Sequence, residues 1–270
     1  MNLVREEAGM LLEGRNAVVY GAGGALGGAV SQAFAREGAA VFLTGRRLAP
    51  LDAVAREIRA AGGAAETAVV DADVEQVVEE HARAVVDRAG SLDISINLIG
   101  VDHIQGRPLV DMSPADFTLG LEARVRTHFV TARAAARHMV RQRSGVILMV
   151  TATPDRVAIP EVGSFGVVNA ALEGLSRTLA TELSPHGVRA VCLRSAGSPD
   201  AAGVREAFSM HAANAGTTVE TFASAREGRI LLRRLPTLAE VADVATLMAS
   251  DRASAMTAII ANVTCGEMLD

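Results

Sequence analysis

The chain has 270 residues and a formal net charge of −5; 50% of its residues are hydrophobic, only 3% are aromatic, and tryptophan is absent. This length suffices for one large α/β domain, and the acidic, aromatic-poor composition argues against a nucleic-acid-binding surface. No apolar run approaches the ~18 residues of a membrane span, and the N-terminus lacks the pattern of a secretion signal, so we expect a cytoplasmic protein. The spacing of the histidines, Cys192 and Cys265 fits no metal site, so we predict two free thiols and no metal.

Apolar strand-like segments alternate with helical segments along the whole chain. The predicted strands are residues 17–20, 39–44, 65–70, 92–99, 146–151, 188–193 and 258–263. The predicted helices are residues 25–37, 49–61, 74–88, 114–141, 165–183 and 236–250. This alternation predicts an α/β fold with a Rossmann-type, doubly wound parallel sheet of about seven strands and helices on both faces. We interpret residues 1–13 as a lead-in, 14–270 as one domain, and the less regular segment 195–235 as the cover of a substrate cleft.

The first strand, turn and helix carry the clearest functional signal. The sequence NAVVYGAGGALGG at residues 16–28 passes from a buried strand through a turn of glycine and alanine into a helix. Small residues let backbone N–H groups approach a dinucleotide pyrophosphate, and the helix start adds further donors. The predicted contacts are Gly21, Gly23, Gly24, Ala25, Leu26 and Gly27. The literal pattern G-x-G-x-x-G is not met, so a simple tight turn stays open as the alternative.

The end of the second strand bears on which dinucleotide binds. An enzyme that uses NAD places an acid there for the ribose hydroxyls, whereas this chain has Thr44-Gly45-Arg46-Arg47. Two guanidinium groups suit a 2′-phosphate in charge and in geometry. We therefore predict NADP(H) rather than NAD(H), with a solvated turn at Arg46 and Arg47 as the alternative.

Several motifs, in order and spacing, resemble the short-chain dehydrogenase/reductase family from about Leu12 to Asp270. The opening LEGRNAVVYGAGGALGGAV resembles the family's T-G-x-x-x-G-x-G start, with Tyr20 and Ala25 at two of its positions, and residues 97–100 (NLIG) lie where the family has N-N-A-G. Residues 193–197 (LRSAG), 239–242 (AEVA) and 249–254 (ASDRAS) resemble the segment after the sixth strand and the closing helix and turn. The resemblance implies further dinucleotide contacts at Asp71, Ala72, Asn97, Ile99, Gly100 and Asn169.

The same resemblance implies an altered active site. The family uses a Tyr that moves the proton, a Lys four residues later, a Ser thirteen residues before the Tyr, and an Asn on the preceding helix. The corresponding positions here hold Phe165, Asn169, Ala152 and Arg124. Phenylalanine has no proton to give, and without the Lys ammonium a nearby hydroxyl loses its main pKa-lowering charge. We therefore predict that the usual proton relay is absent.

Other residues near the strand ends are candidate substitutes. The candidate proton donors are Asp102, His103, Thr151, Thr153, Asp155 and Ser164. His103 titrates in the range needed at neutral pH. Arg124 is a candidate to hold the nicotinamide ribose with Asn169, although a guanidinium cannot replace the acid. For each of these residues, a solvated loop position or core packing is the alternative.

Three functions remain open from the sequence. The first is an atypical NADP(H)-dependent oxidoreductase acting on an unknown small molecule. The second is a non-redox enzyme on the same scaffold, namely a dehydratase, isomerase or cyclase. The third is a non-catalytic NADP(H)-binding sensor or partner subunit. By resemblance we also expect a homodimer or homotetramer formed through helices 114–141 and 165–183. An apolar stripe on the second helix (Ala170, Ala171, Leu175, Leu179, Leu183) supports this, unless the stripe faces the core.

Overall fold

Parallel strands form the central sheet, and their order confirms the predicted Rossmann-type fold. In the computed structural model, which describes residues 9–100 and 103–269, the sheet runs β3-β2-β1-β4-β5-β6-β7. Its strands are β1 (Asn16–Tyr20), β2 (Ala40–Gly45), β3 (Ala64–Val69), β4 (Ile94–Asn97), β5 (Gly145–Ala152), β6 (Val188–Ser195) and β7 (Ile260–Val263). The α-helices are α1 (Ala25–Arg36), α2 (Leu48–Ala60), α3 (Glu75–Ala89), α4 (Pro114–Gln142), α5 (Phe165–Leu183), α6 (Ala202–Asn214), α7 (Val219–Glu227) and α8 (Leu238–Ala249).

The side chains of β1 alternate between two hydrophobic cores. Ala17 and Val19 pack with α1, α2 and α8 on one face, whereas Val18 and Tyr20 pack with α3, α4 and α5 on the other. A strand buried on both faces is continuously apolar, which explains the sequence of β1. The strand order reverses between β1 and β4, and a crevice at the carboxyl ends of the strands is the expected ligand position in such a sheet.

Capping residues set the helix boundaries that the sequence indicated only approximately. The Ser113 hydroxyl accepts a hydrogen bond from the Asp116 N–H (3.1 Å), and Pro114 is the first residue of α4. Thr237 and Glu240 form a capping box, so α8 begins at Leu238 rather than at Pro236. Strand β7 begins at Ile260 rather than at Ala258, because Ala258 has a left-handed backbone (φ +58°) that is incompatible with a strand.

The packed body already includes part of the predicted lead-in. Leu12 is fully buried, and its backbone N–H donates to the Glu37 carbonyl (2.8 Å) at the end of α1. Strand β4 is shorter than predicted, since it covers Ile94–Asn97 rather than residues 92–99. The chain turns after Asn97 because the Asn97 side-chain oxygen accepts from the Ile99 N–H (3.0 Å).

The segment 195–235, predicted to be less regular than the rest of the chain, contains two helices that the sequence did not indicate. It contains the helices α6 and α7, and the Thr218 hydroxyl caps the second by accepting from the Thr221 N–H (3.2 Å). The rings of Phe208 and Phe222 meet edge to face at 5.7 Å between centroids and hold the two helices together. Phe208 joins Ala196, Ile230 and Leu235 in a small core of its own.

Helix α5 turns most of its apolar stripe inward. Leu179 and Leu183 are only 8% and 9% exposed and pack in the core beneath the sheet. For these two residues the core-facing alternative is therefore correct. Ala170 is exposed, and Val167 on the same helix is 48% exposed.

Candidate functional site

The turn between β1 and α1 requires glycine at two positions. Gly21 has φ +79°, and a Cβ there would lie 2.7 Å from the Leu98 carbonyl. A Cβ on Gly27 would lie 2.2 Å from the carbonyl oxygen of Gly21. The start of α1 therefore lies against the end of β1, and the first-turn N–H groups are presented at the edge of the sheet. The N-terminus of α1 has no side-chain cap and no acid in its first turn, so these donors and the positive end of the helix dipole suit a phosphate.

A cleft of about 440 Å³ opens beside this turn at the carboxyl edge of the sheet. It brings together nine of the predicted dinucleotide contacts: Gly21, Gly23, Gly24, Arg46, Arg47, Asp71, Ala72, Ile99 and Gly100. Ala25, Leu26 and Gly27 form the adjoining first turn of α1. The sequence reasoning missed the cleft residues Gly45, Pro50, Leu51, Val70, Asp73, Leu98, Leu119, Ala123 and Thr127. No motif marks the contributions from α2 and α4, because these helices reach the cleft only through tertiary packing.

Arg46 and Arg47 lie at the mouth of this cleft. Both are exposed, and neither has an ion-pair partner among the described residues. The carboxylates of Asp71 and Asp73 line the same cleft, and Asp71 accepts a hydrogen bond from the Asp73 N–H (3.0 Å). The Asp73 carboxylate also pairs with Arg126 on α4 (2.6 Å). The cleft therefore has two unpaired cations at the end of β2 and acids at the end of β3.

Two of the predicted cofactor contacts have side chains that form hydrogen bonds within the protein. Asn169 is fully buried; its side-chain oxygen accepts from the Ala152 N–H (2.8 Å), and its amide donates to the Phe165 carbonyl (2.6 Å). Asn97 is 4% exposed, and its amide donates to the Thr131 hydroxyl (3.0 Å). Asn169 thus joins α5 to the end of β5, and Asn97 joins β4 to α4. Neither amide is presented to the cleft.

Three partly buried side chains meet at the start of α5. The imidazole of His103 stacks on the Phe165 ring, with 4.5 Å between ring centroids and 14° between planes. The guanidinium carbon of Arg124 lies 5.9 Å from the centroid of the same ring. On its other side, His103 contacts the amide of Gln105, whose side-chain oxygen is 2.9 Å from Nε2 of His211 on α6. His103 is therefore the predicted substitute that lies directly against Phe165.

A second polar cluster lies at the end of β5. Thr153 is 1% exposed, and its hydroxyl donates to Glu267 (2.9 Å). Arg226 on α7 donates to the same carboxylate through Nε (2.6 Å) and to the Ala196 carbonyl through Nη2 (2.8 Å). Glu267 therefore accepts hydrogen bonds from both Thr153 and Arg226, and the Thr153 hydroxyl hydrogen is directed at this carboxylate. Thr153 thus links the end of β5 to α7 through Glu267.

The remaining candidate donors have different surroundings. Thr151 is buried and lies 3.5 Å from Glu173 and 3.4 Å from the Cys192 thiol. Burial raises the pKa of Cys192 to about 12, so this thiol is not ionised at neutral pH. Ser164 and Asp155 each have a buried side-chain oxygen without a hydrogen-bond partner. Asp102 lies outside the described residues.

Tyr20, the one tyrosine in the sequence, does not serve this site. Its ring is 1% exposed and packs on the α3 side of the sheet. Burial, together with the charge of Glu79, raises the pKa of its phenol above the usual value. A buried phenol of this kind gives no proton to a ligand in the cleft.

A family model described as "Enoyl-(Acyl carrier protein) reductase" matches residues 21–267, which include the glycine turn, the start of α5 and Glu267. The chain belongs to the short-chain dehydrogenase/reductase family. Gluconate 5-dehydrogenase from Gluconobacter oxydans is 30% identical over 178 residues, which cover 66% of this chain and 69% of that protein.

Solved structures share the fold across nearly the whole chain. An NAD+-bound xylitol dehydrogenase is 24% identical, with a TM-score of 0.88 over 94% of this chain and 99% of its own. A gluconate 5-dehydrogenase from Burkholderia cenocepacia, in complex with NADP and tartrate, is 23% identical, with a TM-score of 0.84 over 96% of each chain. One of these structures contains NAD+ and the other NADP, so likeness of fold does not choose between the two dinucleotides.

Because it belongs to the short-chain dehydrogenase/reductase family, this protein is one of the oxidoreductases that use a nicotinamide dinucleotide and a small-molecule substrate. In the described residues, no helix is long and apolar enough to cross a membrane. Within the same residues, no group of three or more histidine, cysteine or acidic side chains is arranged to hold a metal ion.

Proposed function

We propose that this protein is an NADP(H)-dependent oxidoreductase that acts on a small molecule without the family's usual Tyr/Lys proton relay. The observation that carries the choice of dinucleotide is the pair Arg46 and Arg47, which are exposed in the glycine-lined cleft and have no ion-pair partner in the part of the chain that the structure describes. A 2′-phosphate would offset their charge and accept their forked hydrogen bonds. An acid that would instead favour NAD(H) is missing from the end of β2.

The proposal assigns binding to the residues that fit the dinucleotide. Gly21, Gly27 and the uncapped start of α1 would hold its pyrophosphate, and Asp71 lies where an adenine amine would meet an acceptor. When bound, the dinucleotide supplies or accepts a hydride at its nicotinamide. The chain must then place the substrate carbon next to that position and move a proton to or from the neighbouring substrate atom.

The proton step is where the proposal departs from the family. Phe165 and Ala152 stand at the aligned Tyr and Ser positions and can neither give a proton nor hydrogen-bond a carbonyl through their side chains. Asn169 stands at the aligned Lys position and is engaged between β5 and α5. His103, stacked on Phe165, is the side chain best placed to take over the proton, and Gln105 and His211 hold its position.

Binding of reduced dinucleotides tests the first half of the proposal. We expect NADPH to bind at least about tenfold more tightly than NADH when nicotinamide fluorescence is titrated at fixed ionic strength. The variant Arg46→Ser/Arg47→Ser should lose about 10²- to 10⁴-fold in NADPH affinity, because each of the two charge-assisted hydrogen bonds contributes about 1.5–3 kcal/mol, and should keep its NADH affinity. The exposed Arg56→Ser on α2 is the matched control. A clear preference for NADH would overturn the assignment.

Measurements of turnover test the proposed role of His103 in the proton step. NADPH oxidation should be measured against a panel of aldehydes, ketones and enones, with His103→Gln as the variant. Loss of general acid catalysis typically lowers kcat by about 10²- to 10⁴-fold, and NADPH affinity should not change.

A non-catalytic NADP(H)-binding sensor or partner subunit is the second candidate function. The observation that favours it is the absence of a proton donor at Phe165 and of a hydroxyl at Ala152. Tight NADPH binding without turnover of any panel member would support it over the first. We further propose a cytoplasmic homodimer or homotetramer.

A further inference from the structure

Helix α4 holds Arg124 firmly at the end of β5. The Arg124 carbonyl accepts hydrogen bonds from the Thr127 hydroxyl (3.2 Å) and from Nδ1 of His128 (2.8 Å). Thr131 donates to the Thr127 carbonyl (2.8 Å) and accepts from the amide of Asn97 (3.0 Å), which ties this part of α4 to the end of β4. The backbone that carries Arg124 is thus braced from within its own helix and from the sheet.

The guanidinium of Arg124 makes few hydrogen bonds within the described part of the protein. Its Nε–H is buried without a hydrogen-bond partner, and its one recorded hydrogen bond is a long contact from Nη2 to the Val150 carbonyl (3.5 Å). None of the described carboxylates lies within ion-pair distance of it. A guanidinium has five N–H donors, and a buried charge is ordinarily paired. Burial lowers the pKa of Arg124, yet an arginine stays protonated at neutral pH.

A ligand in the active site can reach this cation. Ala123 and Thr127, on either side of Arg124 in α4, line the dinucleotide cleft. Arg124, Phe165 and His103 are each partly exposed and form one surface at the start of α5. The pyrophosphate position at Gly21–Gly27 belongs to a different part of the sheet edge, beside β1 and α1. The Arg124 guanidinium therefore lies beside the surface on which a substrate would bind, and its Nε–H has no acceptor among the described residues.

We propose that Arg124 binds a carboxylate of the substrate, so that this enzyme acts on small organic acids. The proposal rests on the proposed function, since it names the substrate class of the same site. A planar carboxylate matches the fork of the guanidinium, accepts two of its N–H groups and supplies a countercharge that none of the described carboxylates provides. The flat Phe165 ring beside the guanidinium favours a planar group over a tetrahedral phosphate. With the carboxylate held by Arg124, the reacting carbon of a short acid would lie near His103.

The test measures ligand binding rather than turnover. The NADPH-saturated protein and the protein without dinucleotide should each be titrated, by ligand-observed NMR, with 2-oxo and 2-enoic acids of two to six carbons. Their primary amides and a phosphate monoester of similar size serve as comparison ligands. The variants are Arg124→Gln, Arg124→Lys and, as matched control, Arg137→Gln, an exposed arginine of the same helix that pairs with Glu79.

We expect saturable binding of at least one acid and no binding of its amide. Arg124→Gln should weaken that binding by about 10- to 100-fold, Arg124→Lys by less, and Arg137→Gln not at all. NADPH affinity should stay the same in all four proteins. The proposal is overturned if amides bind as well as acids, if the phosphate monoester binds in preference, if no acid binds, or if Arg124→Gln loses NADPH instead. Failure to bind NADPH in the unmodified protein would overturn the proposed function, and the acid titration without dinucleotide would still decide on Arg124.

Discussion

Glu173 on α5 and Arg194 on β6 form an ion pair inside the protein. Their side chains are 2% and 3% exposed, and Nε of Arg194 donates to Oε1 of Glu173 (2.7 Å). Thr151 and Arg177 also approach the Glu173 carboxylate, at 3.5 and 4.0 Å. The pair lies directly beneath the end of β5, so it holds α5 against the sheet at the level of the active site. A sequence pattern could not reveal it, because a glutamate and an arginine far apart in the chain normally indicate solvent-exposed positions.

Replacing one residue of this ion pair should lower the free energy of unfolding far more than replacing both residues. We expect Glu173→Gln to lower the free energy of unfolding by about 3–5 kcal/mol, because it removes the carboxylate that pairs with the buried Arg194 charge. The double variant Glu173→Leu/Arg194→Met should recover much of that loss. Urea unfolding at one protein concentration measures both. As a control, Asp243→Asn removes the exposed pair with Arg36 and should cost no more than about 1 kcal/mol. Equal losses in the single and double variants would contradict this account.

Asn97 and Asn169 show that a polar residue at a strand end can have a structural role that the sequence does not reveal. Each follows or faces the end of a strand, which is where cofactor contacts lie in this fold, and the resemblance assigned both of them to the dinucleotide. In the structure both amides are consumed by bonds between a helix and a strand. A buried bridging amide and a ligand-binding amide have the same sequence signature, since both require a polar side chain at a strand end. Gly21 and Gly27 were identifiable because their role depends on having no side chain.

At the scale of elements, the sequence predicted what depends on local pattern. All seven strands and the helices that connect them could be located because buried parallel strands are continuously apolar and separated by glycine or capping residues. Helices α6 and α7 could not, since their apolar residues show little helical periodicity and only two large anchors, Phe208 and Phe222, hold them together. Their position depends on the cation of Arg226 and on Glu267, which lies far along the chain.

We expect the packing of α6 and α7 to depend on the link between Arg226 and Glu267. Arg226→Met would leave the Glu267 carboxylate, which is 5% exposed, without its main partner and would remove the bond to the Ala196 carbonyl. We expect amide hydrogen exchange in residues 202–227 to accelerate by about 10- to 100-fold, while exchange in β1 and β4 stays unchanged. Mass spectrometry of peptides resolves the two regions. The exposed Arg229→Met is the control, and uniform acceleration throughout the sheet would contradict a local role.

Helix α4 carries a histidine that should make stability depend on pH. Burial, reinforced by the charge of Arg124, lowers the pKa of His128 to about 3, against 6.5 in the unfolded chain. As the pH falls, His128 is protonated in the unfolded state before it is protonated in the folded state. Its contribution to the free energy of unfolding is therefore fully present above pH 6.5 and is lost as the pH drops from 6.5 towards 3. The expected slope from this residue is about 1.4 kcal/mol per pH unit.

His128→Asn isolates that contribution, since asparagine can still donate to the Arg124 carbonyl but does not titrate. Denaturant unfolding between pH 7.5 and 4.5 should give a shallower pH dependence for the variant than for the unmodified protein. His81, whose pKa burial lowers to about 4, contributes to both curves equally and does not affect the comparison. Parallel curves would contradict the assignment to His128.

At the scale of the whole molecule, the outward faces of α4 and α5 are the surfaces through which the proposed oligomer would form. Phe129 on α4 is 43% exposed and Val167 on α5 is 48% exposed, although the leucines of α5 that suggested an interface face the core. Light scattering at micromolar concentration should give at least twice the 28.0 kDa chain mass. Phe129→Glu/Val167→Glu should shift the mass to that of one chain, because two buried charges would be left unpaired. Val69→Glu, at the exposed end of β3, should not.

The hydrogen bonds that Asn169 makes to Ala152 and Phe165 have a consequence for protein engineering. On the proposed assignment, exchanging Phe165 and Asn169 for tyrosine and lysine would supply the family's usual pair, yet the lysine would remove the acceptor of the Ala152 N–H and the link between β5 and α5. It would also bring an ammonium close to the guanidinium of Arg124, which already contacts residue 165. The double exchange should therefore destabilise the protein unless neighbouring residues in α4 and α5 change with it.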